Sequence, residues 1–230
     1  MSDINTHGNN SRENRKREKK NDVKIQVTEQ KVDPITSEQS DVKGKNYDEI
    51  SLTHFDDHLC DYHNGDLMAG ICGYGFERPS PIQQKVIIPM CDRRDIIAQA
   101  RAGSGKTAAF VIPSLAIVDP TKKFPQVVII GNTRDLARQI FHVISKIGSK
   151  LISNHGLKIC LCVGSKNGSE HTEPQVTLQD ARSSHILICT PGKLVWLSES
   201  EQHGRSRQKF KLLDRITLFV LDEADKLLQD

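Results

Sequence analysis

No apolar run in this 230-residue sequence approaches the about 20 residues needed to cross a bilayer. The first residues are polar and lack the apolar stretch of a secretory leader, so export is not expected. Neither sign of charge dominates. With 32 Lys and Arg against 29 Asp and Glu, the net charge is +3, too small to argue nucleic-acid binding by itself. Zinc-type Cys/His spacing is also missing. Cys60, Cys72, Cys91, Cys160, Cys162 and Cys189 read as small hydrophobes in a reducing compartment, several of them inside apolar stretches. Cys160 and Cys162 share one face of an expected strand, without a matching second pair. His54, His58, Cys60 and His63, with Asp56 and Asp57, read as a polar surface segment rather than a metal site. No internal repeat is visible. The expectation is a cytoplasmic or nuclear protein with no membrane partner.

The length allows one domain with a core and a tail, but not two full α/β domains. Met1 to Lys45 is rich in Asn, Ser, Glu, Lys and Asp and has almost no aromatic residue. Such a segment cannot bury enough surface to offset its ordering entropy and reads as a disordered polar tail. The run Arg15-Lys16-Arg17-Glu18-Lys19-Lys20 inside it suits a solvated tail, a nuclear signal or an RNA-touching arm.

From Tyr47 onward, apolar runs alternate with helical periodicity. Asp95–Ala98 reads as a strand, Lys106–Val118 as a helix and Val127–Ile130 as a second strand. Leu136, Ile140, Val143, Ile144 and Ile147 make a helical stripe within Leu136–Leu151. Leu157–Val163, His185–Cys189 and Leu218–Leu221 read as further strands. Ser165–Ser183 and Ser200–Gln208 read as polar loops. Strands alternating with helices predict a parallel sheet with helices on both faces.

Two stretches carry chemistry. Ala100-Arg101-Ala102-Gly103-Ser104-Gly105-Lys106-Thr107 lies between a predicted strand and a predicted helix, the context a phosphate-binding loop requires. Its glycines let backbone amides approach phosphate oxygens, and the helix N-terminus adds partial positive charge. Lys106 is placed to reach β- and γ-phosphates, and Thr107 to ligate magnesium. The second stretch is Leu218-Phe219-Val220-Leu221-Asp222-Glu223, an apolar strand delivering two acids to a sheet edge. Asp222 suits a magnesium ligand, and Glu223 suits a base for the attacking water.

These residues resemble the first RecA-like domain of the DEAD-box RNA helicases, over about Asn46 to Asp230. Asp222-Glu223-Ala224-Asp225 is that family's namesake tetrad, and AxxGxGKT is its usual phosphate loop. Gly75-Phe76-Glu77-Arg78-Pro79-Ser80-Pro81-Ile82-Gln83 resembles its Q motif. The resemblance implies ATP as cofactor, with Gln83 reading the adenine edge, Phe55 stacking on the base, and Arg78 in the same nucleotide site. It implies catalytic roles for Lys106, Asp222 and Glu223. Asn132-Thr133-Arg134-Asp135-Leu136-Ala137 resembles PTRELA, with Asn for Pro and Asp for Glu. Val163-Gly164-Ser165 lies where the family shows Gly-Gly, and Thr190-Pro191-Gly192-Lys193 resembles TPGR with Lys for Arg. It follows from the resemblance that Thr133, Arg134, Gly164, Thr190, Pro191, Gly192 and Lys193 face the RNA backbone. Lys is not equivalent to Arg for bidentate phosphate contact. Phe76–Pro81 and Leu221–Leu228 look most like the helicase of the SMN complex, and also resemble mRNA-decay and translation-initiation members. RNA and protein partners of a ribonucleoprotein complex are therefore expected.

Only five residues follow Asp225. The expectation is an α/β RecA-like domain truncated after the DEAD strand, without the second helicase domain. In this kind of fold a further strand lies between the phosphate-loop strand and the DEAD strand, so its absence is expected to leave a gap in the sheet. Two functions stay open: an ATP-dependent RNA helicase seen in its N-terminal part, and a fragment that binds RNA or partners without ATP turnover. A GTPase is disfavoured, because no Asn-Lys-x-Asp element is present and Gln83 points to adenine.

Overall fold

The computed structural model describes residues 24–28, 51–164, 176–203 and 211–228. The basic run Arg15–Lys20, Ser165 and most of the polar loop after it lie outside the described residues. In chain order the elements are β1 (Lys24–Thr28), α1 (Asp56–Leu59), α2 (Asp66–Gly73), α3 (Pro81–Cys91), β2 (Asp95–Gln99) and α4 (Lys106–Ile117). There follow β3 (Val127–Ile130), α5 (Arg134–Ile147), α6 (Ser149–His155), β4 (Ile159–Cys162), α7 (Leu178–Arg182), β5 (Ile186–Cys189), α8 (Pro191–His203), β6 (Leu218–Leu221) and α9 (Ala224–Leu227).

Four strands form a parallel sheet in the order β4-β5-β3-β6. Their sequences, VVII, ICLC, ILIC and LFVL, are apolar throughout, and β3 and β5 are buried along their whole length, as central strands covered on both faces must be. Side-chain alternation sorts them onto two cores. Val127, Ile129, Ile186, Ile188 and Val220 pack with residues of α2 to α5. Val128, Ile130, Cys160, Cys162, Leu187 and Cys189 pack with Ala181 of α7 and Leu194 and Leu197 of α8. Helices thus cover both faces, as the alternating pattern predicts.

The stripe read over Leu136–Leu151 is two helices. They meet at Gly148, where a Cβ would lie 2.9 Å from both the Ile144 carbonyl and Leu115 Cδ2. Only glycine lets the chain turn there against α4. Two stretches read as polar loops are partly helical. Thr177 caps α7 by accepting from Asp180 N, and α8 runs on to His203.

The strand feeding the glycine-rich loop corrects the expectation most. β2 does not join the parallel sheet. It pairs antiparallel with β1, in register from Lys24↔Gln99 to Thr28↔Asp95. Five residues of the span read as a disordered tail are therefore a strand. Lys24-Ile25-Gln26-Val27-Thr28 alternates polar and β-branched positions, and β2 offers it unpaired backbone groups. Among the described residues, no ladder joins β2 to β6. Ile97 on β2 is 70% exposed and Phe219 on β6 is 50% exposed.

Candidate nucleotide and RNA site

The glycine-rich loop closes on itself around its lysine. Lys106 is the first residue of α4, and its Nζ donates to the Ala100 carbonyl at 2.8 Å, so the ammonium spans the loop from end to end. Gly105 before it has φ +88, a left-handed conformation that side chains strain to adopt. A Cβ there would also lie 2.6 Å from Gln83 Nε2. Arg101, Ala102 and Gly103 are exposed at the loop's crest, while Ala100 and Ser104 to Thr107 are half-buried. Ser104 Oγ is buried without a hydrogen-bond partner. A cradle of this shape, carrying an unsatisfied hydroxyl, fits an anionic ligand with acceptor oxygens.

The Q-motif residues sit differently from their expected roles. Gln83, 2% exposed, accepts from Ser80 N at 2.9 Å and donates to the Gly105 carbonyl at 3.1 Å. Its amide braces the phosphate loop against the first turn of α3. Phe55 is 3% exposed, with its ring 6.4 Å from that of Phe76. It is a core residue, so the expected stacking face is not open to a base. Arg78 is exposed. The upstream His/Cys segment is a local polar network. Asp57 bonds Thr53 and the His54 amide, and His63 Nε2 meets the Leu115 carbonyl at 2.8 Å. Among the described residues, no group of three or more His, Cys, Asp or Glu is set to hold a metal.

The acids arrive from β6. Parallel pairing sets Ile130 against Leu221, and Asp222 N donates to the Ile130 carbonyl at 3.0 Å. The register therefore places Gly131 and Asn132 beside Asp222 and Glu223. Burial pushes the Asp222 carboxyl above its ordinary value, against the opposing pulls of the Glu223 N–H and the Lys106 ammonium. A buried carboxylate held that way is suited to a divalent cation. Glu223 goes the other way. Lys226 Nζ at 2.8 Å holds its carboxylate below the ordinary value, with Asn132 and Lys106 adding to the effect. The two adjacent carboxyls are thus pushed in opposite directions by their surroundings. The Lys106 charge contributes a small pull on both carboxyls.

The remaining loops leave the same edge of the sheet, at the C-terminal ends of β3, β4 and β5. Thr133 is exposed and caps α5, accepting from Leu136 N at 3.2 Å. Arg134 is half-buried beside Gly164, where an added Cβ would lie 3.9 Å from Arg134 Nη2. Thr190 N donates to the Cys162 carbonyl at 3.2 Å, and Pro191 and Gly192 are exposed. Lys193 departs from a free phosphate contact. Its ammonium lies 3.6 Å from the centre of the Trp196 ring, and burial lowers its pKa. Asn132, Lys226 and Trp196 were not singled out as site residues by the sequence reading. A cavity of about 720 Å3 lined by Lys123, Lys158, His185 and Arg215 opens at the opposite ends of the strands and contains none of the predicted site residues.

A phosphate cradle between β2 and α4, with a paired acidic motif and three loops at the C-terminal edge of a parallel sheet, is the arrangement of a P-loop nucleotide-binding domain. The model of the DEAD/DEAH box helicase family matches residues 80–230, and the chain belongs to that family. It is 38% identical over 183 residues to the ATP-dependent RNA helicase eIF4A of Candida glabrata, covering 80% of this chain and 41% of that protein. The eIF4A of Schizosaccharomyces pombe is 36% identical over the same shares of the two chains. Among solved structures, a DEAD box protein of Methanococcus jannaschii matches with a TM-score of 0.58 at 28% identity, over 78% of this chain and 44% of that one. Dbp5 of Saccharomyces cerevisiae, bound to RNA and ADP BeF3, matches with a TM-score of 0.57 at 26% identity, over 77% and 40%. The chain thus spans about two fifths of the length of these relatives.

Proposed function

We propose that residues 46–230 form the first RecA-like domain of an ATP-dependent RNA helicase that acts in the cytoplasm, the nucleus or both. The observation that carries this is the glycine-rich loop closed around Lys106 with a buried, unpartnered Ser104 hydroxyl, together with Asp222 and Glu223 at the end of β6, on the sheet edge from which the Thr133, Gly164 and Thr190 loops also leave. In this reading Ala100 to Thr107 bind the phosphates of ATP. Thr107 and Asp222 hold a magnesium ion, which when bound neutralises phosphate charge. Lys106 leaves the Ala100 carbonyl for a phosphate oxygen. Glu223, already favoured as the anion, takes the proton of the attacking water at its carboxylate. Thr133, Arg134, Gly164, Thr190, Pro191, Gly192 and Lys193 contact the RNA backbone through hydroxyls, cations and amides. Lys193 must leave Trp196 to do so.

Adenine selection by Gln83 uses the N–H and the lone pair that its two hydrogen bonds leave over. At 2% exposure, that contact calls for the turn at Ser80 to open. Protein partners of a ribonucleoprotein complex fit the same reading, since Dbp5 is found bound to Nup159 and Gle1. No helix among the described residues is long and apolar enough to cross a membrane.

The test is equilibrium binding of fluorescent ATP and GTP to this chain, with and without magnesium, in wild type and Lys106→Ala. Magnesium-dependent ATP binding that is lost in the variant is expected. Binding that ignores Lys106 would remove the nucleotide assignment. RNA-stimulated phosphate release is then measured on the complete protein.

A further inference from the structure

We propose that Asn132 is a positioning residue for water activation, joining the RNA-facing loop to the carboxylate that handles the water. The inference rests on the helicase reading above. Its starting point is register. Val127 to Ile130 pair with Leu218 to Leu221, residue for residue. Continuing that pairing two residues past the strands sets Asn132 opposite Glu223. The two side chains meet there: Asn132 Nδ2 donates to Glu223 Oε2 at 3.2 Å, across 91 positions of sequence.

The carboxylate is held from two sides. Lys226 Nζ donates to the same Oε2 at 2.8 Å. Lys226 is three residues along from Glu223, within α9, so it travels with Glu223 and supports its charged form. Asn132 belongs to a different strand-to-helix connection, so it fixes the carboxylate relative to the sheet. Both bonds go to Oε2. Oε1 takes neither of these bonds, so its lone pairs are available to a water. Glu223 itself has φ 53 and ψ 48, a left-handed conformation that a glutamate adopts at some cost. The strain and the two donors together define one direction for the carboxylate.

The other side of Asn132 gives the inference its functional content. The next residue, Thr133, is exposed and caps α5, and Arg134 opens that helix beside Gly164. A nucleic acid strand that pulls on the Thr133 or Arg134 side chain displaces the backbone of Asn132 directly. One hydrogen bond further on, Glu223 is reached. The Pro of the PTRELA pattern that Asn132 replaces has no side-chain donor for such a bond.

The test uses the complete protein carrying Asn132→Ala and, separately, the near-isosteric Asn132→Asp, which replaces the donor with a second carboxylate. RNA-stimulated kcat is expected to fall about 10-fold in Asn132→Ala, the size of one lost hydrogen bond to a charged group, and further in Asn132→Asp. KM for ATP, RNA affinity and melting temperature stay at wild-type values. Independently of turnover, the Glu223 carboxyl 13C shift at one fixed pH should differ between wild type and Asn132→Ala, the signature of the lost Asn132 contact. Unchanged kcat with an unchanged shift overturns the proposal, as does a loss of kcat accompanied by a lowered melting temperature and raised KM in both variants. A wild-type protein without RNA-stimulated turnover sinks the helicase reading instead, and the carboxyl shift still reports whether Asn132 touches Glu223.

Discussion

Gln83 Nε2 donates to the Gly105 carbonyl across 3.1 Å, tying the first turn of α3 to the residue that precedes α4. Twenty-two residues separate them in sequence. The bond makes the shape of the phosphate loop depend on a side chain outside it, and the same amide accepts from Ser80 N. Gln83→Ala leaves both backbone groups in need of partners in a buried place. It should destabilise the domain by about 1–3 kcal/mol and weaken nucleotide binding at the same time. Denaturant melts and nucleotide titrations check the two effects. A variant with wild-type stability but altered base preference would mean that the amide serves the base alone.

Gly105→Ala combines two faults, a positive φ and a Cβ placed 2.6 Å from Gln83 Nε2. The loop can relieve the contact only by giving up the Gln83 bond. A loss of stability of about 1–3 kcal/mol and of measurable nucleotide binding is expected. Gly103→Ala is the control, because nothing lies within 4 Å of its added Cβ and only the backbone conformation is penalised. Equal behaviour of the two variants would show that the Gln83 contact is immaterial.

Glu223→Gln keeps the length and planarity of the side chain and removes its basicity. In the complete protein it should retain magnesium-dependent ATP binding while turnover drops about 10²–10⁴-fold, the usual worth of a general base. Because Asn132 donates to Oε2, the glutamine can still present its carbonyl oxygen there. Its melting temperature should therefore lie close to that of wild type. Wild-type turnover would assign the water to another group.

His185 gives a pH signature unrelated to chemistry. Its Nδ1 accepts from Lys158 N at 2.8 Å, and burial lowers the imidazole below its ordinary 6.5. The folded state prefers the neutral ring, whereas the unfolded chain takes up a proton at the ordinary value. Stability from this residue is therefore full above about pH 6.5. It declines as pH falls toward the lowered folded value, where the loss levels off. Melts between pH 8 and 5 should show that decline, and His185→Asn, whose carbonyl can accept the same N–H, should flatten it. Parallel pH curves for the two proteins would rule the residue out as the cause.

Much of the site was legible because its parts are local. The loop Ala100–Thr107 needs only a strand before it and a helix after it, and the chain provides both. The apolar strands were legible from runs such as Val127–Ile130. What escaped depends on pairing. Nothing near Asn132 in sequence points to Glu223; the contact follows from a register that exists only once β3 and β6 lie side by side. The burial of Phe55 also escaped, because burial is a property of its neighbours, Phe76 among them. Lys24–Thr28 escaped for a different reason. Five residues of alternating polarity in a polar setting form a strand only when another strand's edge accepts them, and that edge belongs to β2.

The separation of β2 from the four-stranded sheet sets how firmly the phosphate loop is mounted. A two-stranded ribbon is marginal in water without further packing, whereas β3 and β5 lie in the interior of the sheet with a partner on each side. The amides of β2 should exchange with solvent through local opening long before those of β3 and β5 report global unfolding. The proposed nucleotide contact thereby falls next to a two-stranded ribbon rather than on the four-stranded sheet. A ligand held by Gly103 to Thr107 would act on the domain as a clamp, gaining part of its effect by suppressing that opening, so protection at Ile96 to Ala98 becomes a direct gauge of occupancy.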